Sequence, residues 1–286
     1  MTMNMPPGFL PMGQRAPLHL RLGFYGFPKQ GKTWLGMTFP APLLLNPAAE
    51  GGYDTALHPD GMYIVQAVKL GATHAAFLRG VPGSVSISKE IDQWLEYLYQ
   101  LVVTGKCPWQ TIVMGGFSDV ASMILEEAEK NNVNRKGEVD GHKAWGDVLT
   151  WYQKTLHLLF SLPLHVIVEL GVKVQMDKDN RDLMAKIEPD LSGRGGRLVL
   201  PRELHALIFV EKQGVGTYLT HFQPRVSNPV FYAALRLNSI AFSQPVQDCS
   251  YDTFAQALGL PPIWVCDPGH PRCQQGRWPW RTPWHV

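Results

Sequence analysis

Leu18-His-Leu-Arg-Leu-Gly-Phe-Tyr25 runs straight into Gly26-Phe27-Pro28-Lys29-Gln30-Gly31-Lys32-Thr33, and this junction decides the fold. The second stretch satisfies the pattern G-x-x-x-x-G-K-[ST] in full. Glycines let the backbone wrap closely around a ligand, and successive N–H groups then point inward as an anion-binding nest. A helix that begins at Lys32 aims its positive end at the same place. Lys32 is expected to reach the β- and γ-phosphates of a nucleoside triphosphate, and the Thr33 hydroxyl to ligate Mg²⁺. The apolar strand before the loop and the helical segment to Met37 after it are the context this chemistry requires. Gly26, Phe27, Pro28, Lys29, Gln30, Gly31, Lys32, Thr33 and the adjoining Trp34 are therefore the candidate cofactor-binding residues, with ATP and Mg²⁺ as the expected ligands.

Outward from the loop, Pro40 and Pro42 close the first helix, and Leu43-Leu44-Leu45 reads as a short buried strand. Met62-Tyr-Ile-Val65 is a further strand candidate. From Ser88 the pattern turns helical, with Ile91, Trp94, Leu95, Leu98 and Leu101 at spacings of three and four. Thr111–Met114 predicts a buried strand, Val120–Ala128 a helix, and the polar, glycine-punctuated run 130–141 a long loop. An amphipathic helix covers about Trp145–Phe160, Pro163 breaks it, and Leu164–Val168 is another apolar strand. Two hairpins follow, one pairing Val172–Met176 with Leu183–Ile187, the other Leu207–Val210 with Thr217–Thr220. Short apolar strands alternating with helices predict an α/β fold, a mostly parallel sheet flanked by helices. The hairpins predict an antiparallel edge on that sheet. By composition the chain divides into a Pro/Gly/Met-rich arm (1–16), a core (17–242) and a Pro/Trp/Cys-rich extension (243–286).

The apolar fraction of 45% and charged fraction of 17% are those of an ordinary soluble protein. A net charge of +2 is too small to make the whole chain a polyanion binder, so any nucleic-acid contact must come from a local patch. No stretch approaches the roughly 20 apolar residues that span a bilayer, and the N-terminus lacks the charged start and apolar run of a signal peptide. A cytoplasmic location without membrane contact is the expectation. Four cysteines without a secretory signal do not suggest a disulfide framework. Cys266, His270 and Cys273 place three zinc-capable ligands within eight residues, with Cys249 or His285 as a fourth. Their spacing matches no defined zinc module, and a plain reduced tail is the favoured reading. Arg277-Trp-Pro-Trp-Arg-Thr-Pro-Trp284 suits stacking on unpaired bases, docking of a partner, or packing on the core.

The acids that should accompany the loop are harder to place. The usual Mg²⁺-holding carboxylate follows a later buried strand, yet Thr111–Met114 is followed by Gly115 and Gly116. Asp119 is the nearest acid and the metal candidate, or else a first-turn charge facing the helix dipole. Glu50, in the segment after Leu45, falls at the strand edge where open α/β sheets gather ligands, which makes it a candidate base; the alternative is a solvated loop residue. Glu169, at the end of Leu164–Val168, is placed to line the same edge and sense the γ-phosphate. Asp54 is a weaker candidate.

The order of these features resembles the RecA-like P-loop ATPases of bacteriophages, a group of phage nucleotide-binding or AAA-domain proteins that includes the single-strand-annealing proteins of the Sak type. The residues carrying the likeness are the Gly-x-Pro-Lys-x-Gly-Lys-Thr loop, Leu-Leu-Leu-Asn-(x)3-Glu-Gly-Gly, Trp-Gln-Thr-Ile-Val-Met, Trp145–Leu149, Leu164–Val168 and Pro189-Asp-Leu-Ser-Gly193, over about residues 17–225. The resemblance implies a RecA-like core, ATP and Mg²⁺, Glu50 as catalytic base, assembly into rings or filaments, and a role in phage DNA recombination, annealing or replication. Partners implied are single-stranded DNA and phage or host replication proteins, which puts the chain in the host cytoplasm. Met114-Gly115-Gly116 departs from the family's acid-bearing strand end and puts efficient hydrolysis in question.

Contacts to DNA phosphates are sought in Lys173, Lys178, Lys186, Arg194, Arg197 and Arg202, and in Lys130, Arg135 and Lys136 around the 131–141 loop. Arg194 or Arg202 is also placed to act across a subunit boundary as an arginine finger. Two other readings stay open: a nucleotide-binding switch with little hydrolysis, and a P-loop small-molecule kinase.

Overall fold

The computed structural model describes residues 19–47, 74–78, 86–177, 184–191, 199–214, 217–226, 230–237 and 240–260. The strand expected at Met62–Val65 lies outside them, as do Glu50, Asp54, Lys178, Arg194, Arg197 and the Cys266–His285 segment.

Six strands form a parallel array. They are β1 (Arg21–Tyr25), β2 (Pro42–Pro47), β3 (His74–Leu78), β4 (Thr111–Met114), β5 (His165–Leu170) and the start of β8 (Ala206–Gly214), in the spatial order β8-β1-β5-β4-β2-β3. β1 thus lies between β5 and β8, neither of which is its neighbour in sequence. Such a reversal of strand order opens a crevice at the carboxyl ends of the strands, and the loop Gly26–Gly31 leaves β1 at that point.

Strand alternation explains why both faces of the sheet are apolar. Along β5, Val166, Val168 and Leu170 enter one core, whereas Ile167 enters the other. The first core receives three amphipathic helices, α2 (Ile87–Val103), α3 (Phe117–Asn131) and α4 (Gly141–Ser161). The second is covered by α1 (Lys32–Met37) and by α5 (Tyr251–Leu258). Tyr251 and Phe254 of α5 are fully buried against Phe39, and each such side chain contributes about 1.5–3 kcal/mol by burial. The core therefore continues past Ser243, where composition changes, because those rings close the face that α1 is too short to cover.

Three expectations need correction. Ser86, not Ser88, caps α2, its Oγ accepting from the Lys89 N–H at 3.2 Å. The 131–141 loop is a tight turn rather than a long loop: Val133 bridges Val139, and the Asn134 side-chain oxygen Oδ1 accepts from the N–H groups of Lys136 and Glu138. Of the two hairpins, only β8/β9 (β9, Thr217–His221) edges the main sheet, continued by β12 (Val246–Gln247), while β11 (Ala234–Leu235) pairs with β8. The other, β6 (Val172–Met176) with β7 (Met184–Pro189), joins β10 (Val230–Phe231) in a separate three-stranded sheet. Gly171 is the joint between β5 and β6; its N–H donates to Ser118 Oγ at 2.9 Å and its carbonyl accepts from Asp190 N–H at 2.9 Å. Those two bonds turn the chain out of the main sheet.

Candidate nucleotide-binding site

The loop is built tightly onto the strands beside it. A Cβ on Gly26 would come within 2.3 Å of the Val210 carbonyl oxygen on β8, so only glycine lets the chain leave β1 at that point. Gly31 has φ +83°, and a Cβ there would also meet the Tyr218 ring at 2.7 Å. Lys29 takes φ 63° without being glycine. Lys32 Nζ donates to the carbonyls of Gly26 and Phe27 at 2.9 and 3.0 Å, spanning the loop from its C-terminal to its N-terminal side. The Gln30 amide oxygen is buried within this loop and has no hydrogen-bond partner among the described residues. A buried polar atom of that kind is expected to meet a ligand or water.

Thr33 is the junction between loop and sheet. Its hydroxyl donates to Glu169 Oε2 at 2.8 Å. Glu169 lies within β5, not beyond it, and pairs in register with Phe24, two residues before the loop. Alternation sends its side chain to the same face as Ile167, the face that α1 covers. It is only 2% exposed, and its Oε1 would lie 3.5 Å from a Cβ on Gly36. The closer neighbour of a Cβ at 36 would be Val113 of β4, at 3.1 Å, so the small residue there lets α1 lie close on the sheet.

The geometry separates the two candidate acids. Asp119 is exposed on the first turn of α3, whereas the carboxylate in contact with Thr33 is that of Glu169. Met114 pairs with Val168, so Gly115 comes next to Glu169 in the adjoining strand. An acid at 115 would sit one strand further from β1 than Glu169 on β5 does. A hydroxyl and a carboxylate side by side form an all-oxygen donor set that suits a hard divalent cation such as Mg²⁺. Sequence reasoning had Glu169 at this edge, but its contact with Thr33 depends on the parallel pairing of β1 with β5, which no local pattern reports.

Trp34, on the first turn of α1, stacks on Tyr218 of β9 with centroids 5.8 Å apart and planes at 22°. Tyr218 was not anticipated, since nothing in Thr217–Thr220 distinguishes it from any strand tyrosine. Its main chain is held from both sides: its N–H donates to Asp248 Oδ1 at 3.0 Å, and its carbonyl accepts from Asp248 N–H at 2.8 Å.

Among the cationic candidates, Lys173 on β6 and Arg202, in the helical stretch 199–203, are exposed, as are Arg135 and Lys136 at the tip of the 131–141 turn. Lys186 is ion-paired with Glu188 at 2.5 Å. Cys249 is buried, and burial pushes its thiol up to about 12, so it stays protonated at neutral pH. No group of three or more His, Cys, Asp or Glu placed to hold a metal occurs among the described residues. No described helix is long and apolar enough to cross a membrane.

No curated protein matches the chain. Among solved structures, a KaiC-like protein of the hyperthermophilic archaeon Pyrococcus horikoshii is similar at 12% identity, covering 70% of this chain and 76% of that one, with a TM-score of 0.37. That likeness is too loose to bear on the site. A family model described as an AAA domain matches residues 19–229, nearly three-quarters of the chain, from the start of β1 through β9. With the phosphate loop at the switch point of a mostly parallel sheet, the match settles the family: this is an α/β P-loop nucleotide-binding protein that belongs to the AAA-domain family.

Proposed function

We propose that the chain binds ATP with Mg²⁺ in the Gly26–Thr33 loop and uses it to act on single-stranded DNA, in recombination, annealing or replication. The observation that carries the nucleotide half is the join of Lys32, Thr33 and buried Glu169 at the mouth of β1 and β5. Lys32 compensates phosphate charge, Thr33 and Glu169 are the residues that would hold Mg²⁺, and the loop N–H groups orient the phosphates. When bound, Mg²⁺ neutralises charge developing on the phosphate oxygens. Glu169 fixes the Thr33 hydroxyl, so the cation side of the site is organised before the nucleotide arrives. Glu50 remains the proposed base for water.

Support for the DNA half comes from the likeness to phage RecA-like proteins and from exposed cations: Arg135 and Lys136 on a projecting turn, Lys173 on β6, and Arg202. Arg202 also suits the proposed role across a subunit boundary of a homo-oligomer. The second reading, a switch with little turnover, is favoured by Gly115 and Gly116, which leave the end of β4 without a carboxylate.

ATPase rate with and without single-stranded DNA, on wild type and Lys32→Ala, separates the readings. DNA-stimulated turnover that Lys32→Ala abolishes is expected. ATP held without turnover under either condition selects the switch, and an absence of ATP binding at millimolar nucleotide with Mg²⁺ removes both.

A further inference from the structure

The stacked pair Trp34–Tyr218 adjoins the phosphate loop. Trp34 follows the loop's Lys32-Thr33 directly, and Tyr218 lies flush against Gly31, the last glycine of the loop. Both rings are half-buried rather than sealed in a core. A mononucleotide held by its phosphates carries its base one ribose beyond them, and the first turn of α1 and the β9 edge both adjoin the loop. The pair is fixed in place: Gly31 supports the Tyr218 ring, and the bonds of the Tyr218 N–H and carbonyl to the Asp248 carboxylate and N–H hold β9 at this register. Asp248 itself is held at φ 48°, a left-handed conformation that a non-glycine residue adopts at a cost. That cost is consistent with a turn shaped to hold Tyr218 against the loop.

We propose that the stacked pair Trp34–Tyr218 is the nucleobase platform of this site, the purine of the bound triphosphate extending the stack, with Tyr218 a base-binding residue contributed by the β8/β9 hairpin. The proposal rests on phosphate binding by the loop and goes beyond it, because it assigns the base end of the ligand. A platform that works by stacking accepts any purine triphosphate, so ATP and GTP bind with similar affinity unless a further edge contact separates them. It distinguishes a nucleotide from bare triphosphate.

Calorimetric titration with MgATP and with inorganic tripolyphosphate plus Mg²⁺, on the full chain, tests this. Tyr218→Leu keeps an apolar side chain against Gly31 but removes the π-face, and Tyr218→Phe keeps both. Tyr218→Leu is expected to weaken MgATP about tenfold, the scale of a lost base–aromatic stack, while leaving tripolyphosphate unchanged; Tyr218→Phe behaves as wild type. Equal weakening of both ligands means that the ring merely props the loop, and unchanged MgATP affinity means that the base lies elsewhere; either result overturns the proposal. Lys32→Ala separates it from the underlying reading, since it must weaken both ligands. If Lys32→Ala binds both as wild type does, the loop reading itself fails and the base platform falls with it.

Discussion

Lys29 holds φ 63° in the loop, a conformation that costs a non-glycine residue about 1–2 kcal/mol. Lys29→Gly removes that strain but loosens the unfolded chain, so stability is expected to stay within about 1 kcal/mol of wild type in urea unfolding. Lys29→Val adds a β-branch at the same φ and should lower it by about 1–2 kcal/mol. Gly26 is less forgiving, because the Val210 carbonyl stands 2.3 Å from where a Cβ would go and is backbone in the middle of the sheet. Gly26→Ala is therefore expected to destabilise by about 2 kcal/mol or more, read from the urea midpoint, since β1 and β8 must separate. Glu169 and Asp119 are told apart by charge removal. Glu169→Gln should lower Mg²⁺-dependent ATP affinity about tenfold, whereas Asp119→Asn leaves it unchanged. The reverse pattern would return the metal to Asp119.

At the scale of elements, the site depends on which strands lie beside β1. β5 delivers Glu169 to the face of α1, and β8 with β9 delivers the backbone that closes on Gly26 and the ring that closes on Gly31. The β6/β7 hairpin is tied to this edge through α3: Ser118 Oγ accepts the Gly171 N–H and donates to the Asp190 carbonyl. Ser118→Ala removes both bonds and leaves partly buried backbone groups unsatisfied, at a cost of about 1–3 kcal/mol. Hydrogen exchange should show the loss first in β6 and β7, with β1 and β4 still protected. Uniform acceleration across the main sheet would mean that the hairpin is not held by this residue.

On the scale of the whole molecule, the second core contains a histidine that must stay neutral. Burial pulls His165 down to about 3, and its Nδ1 accepts the Leu20 N–H at 3.0 Å beside Phe39 and Tyr251. The folded value lies below the unfolded one near 6.5, so the native state binds fewer protons. Stability is then intact above pH 6.5 and declines as pH falls from there towards 3, by up to about 1.4 kcal/mol per pH unit from this group. Urea midpoints at pH 7.5 and 5.5 check the slope, and His165→Asn, whose amide oxygen can stand in for Nδ1 as acceptor, should flatten it. The residues read from sequence were those whose chemistry is local. Gly26–Thr33 has a fixed spacing because a phosphate nest is made by consecutive backbone groups, and the described strands and helices from 21 to 170 follow from hydrophobic period, except β3, which is not among the sequence-based expectations. Sequence also placed Glu169 at a strand end, but as one acid among four. Only the tertiary structure sets it beside Thr33, because that contact arises from the pairing of β1 with a strand about 145 residues later, and Tyr218 reaches Gly31 across a longer separation still. A phosphate loop is written in one stretch of chain; the carboxylate and aromatic platform around it exist only once strands distant in sequence are brought side by side.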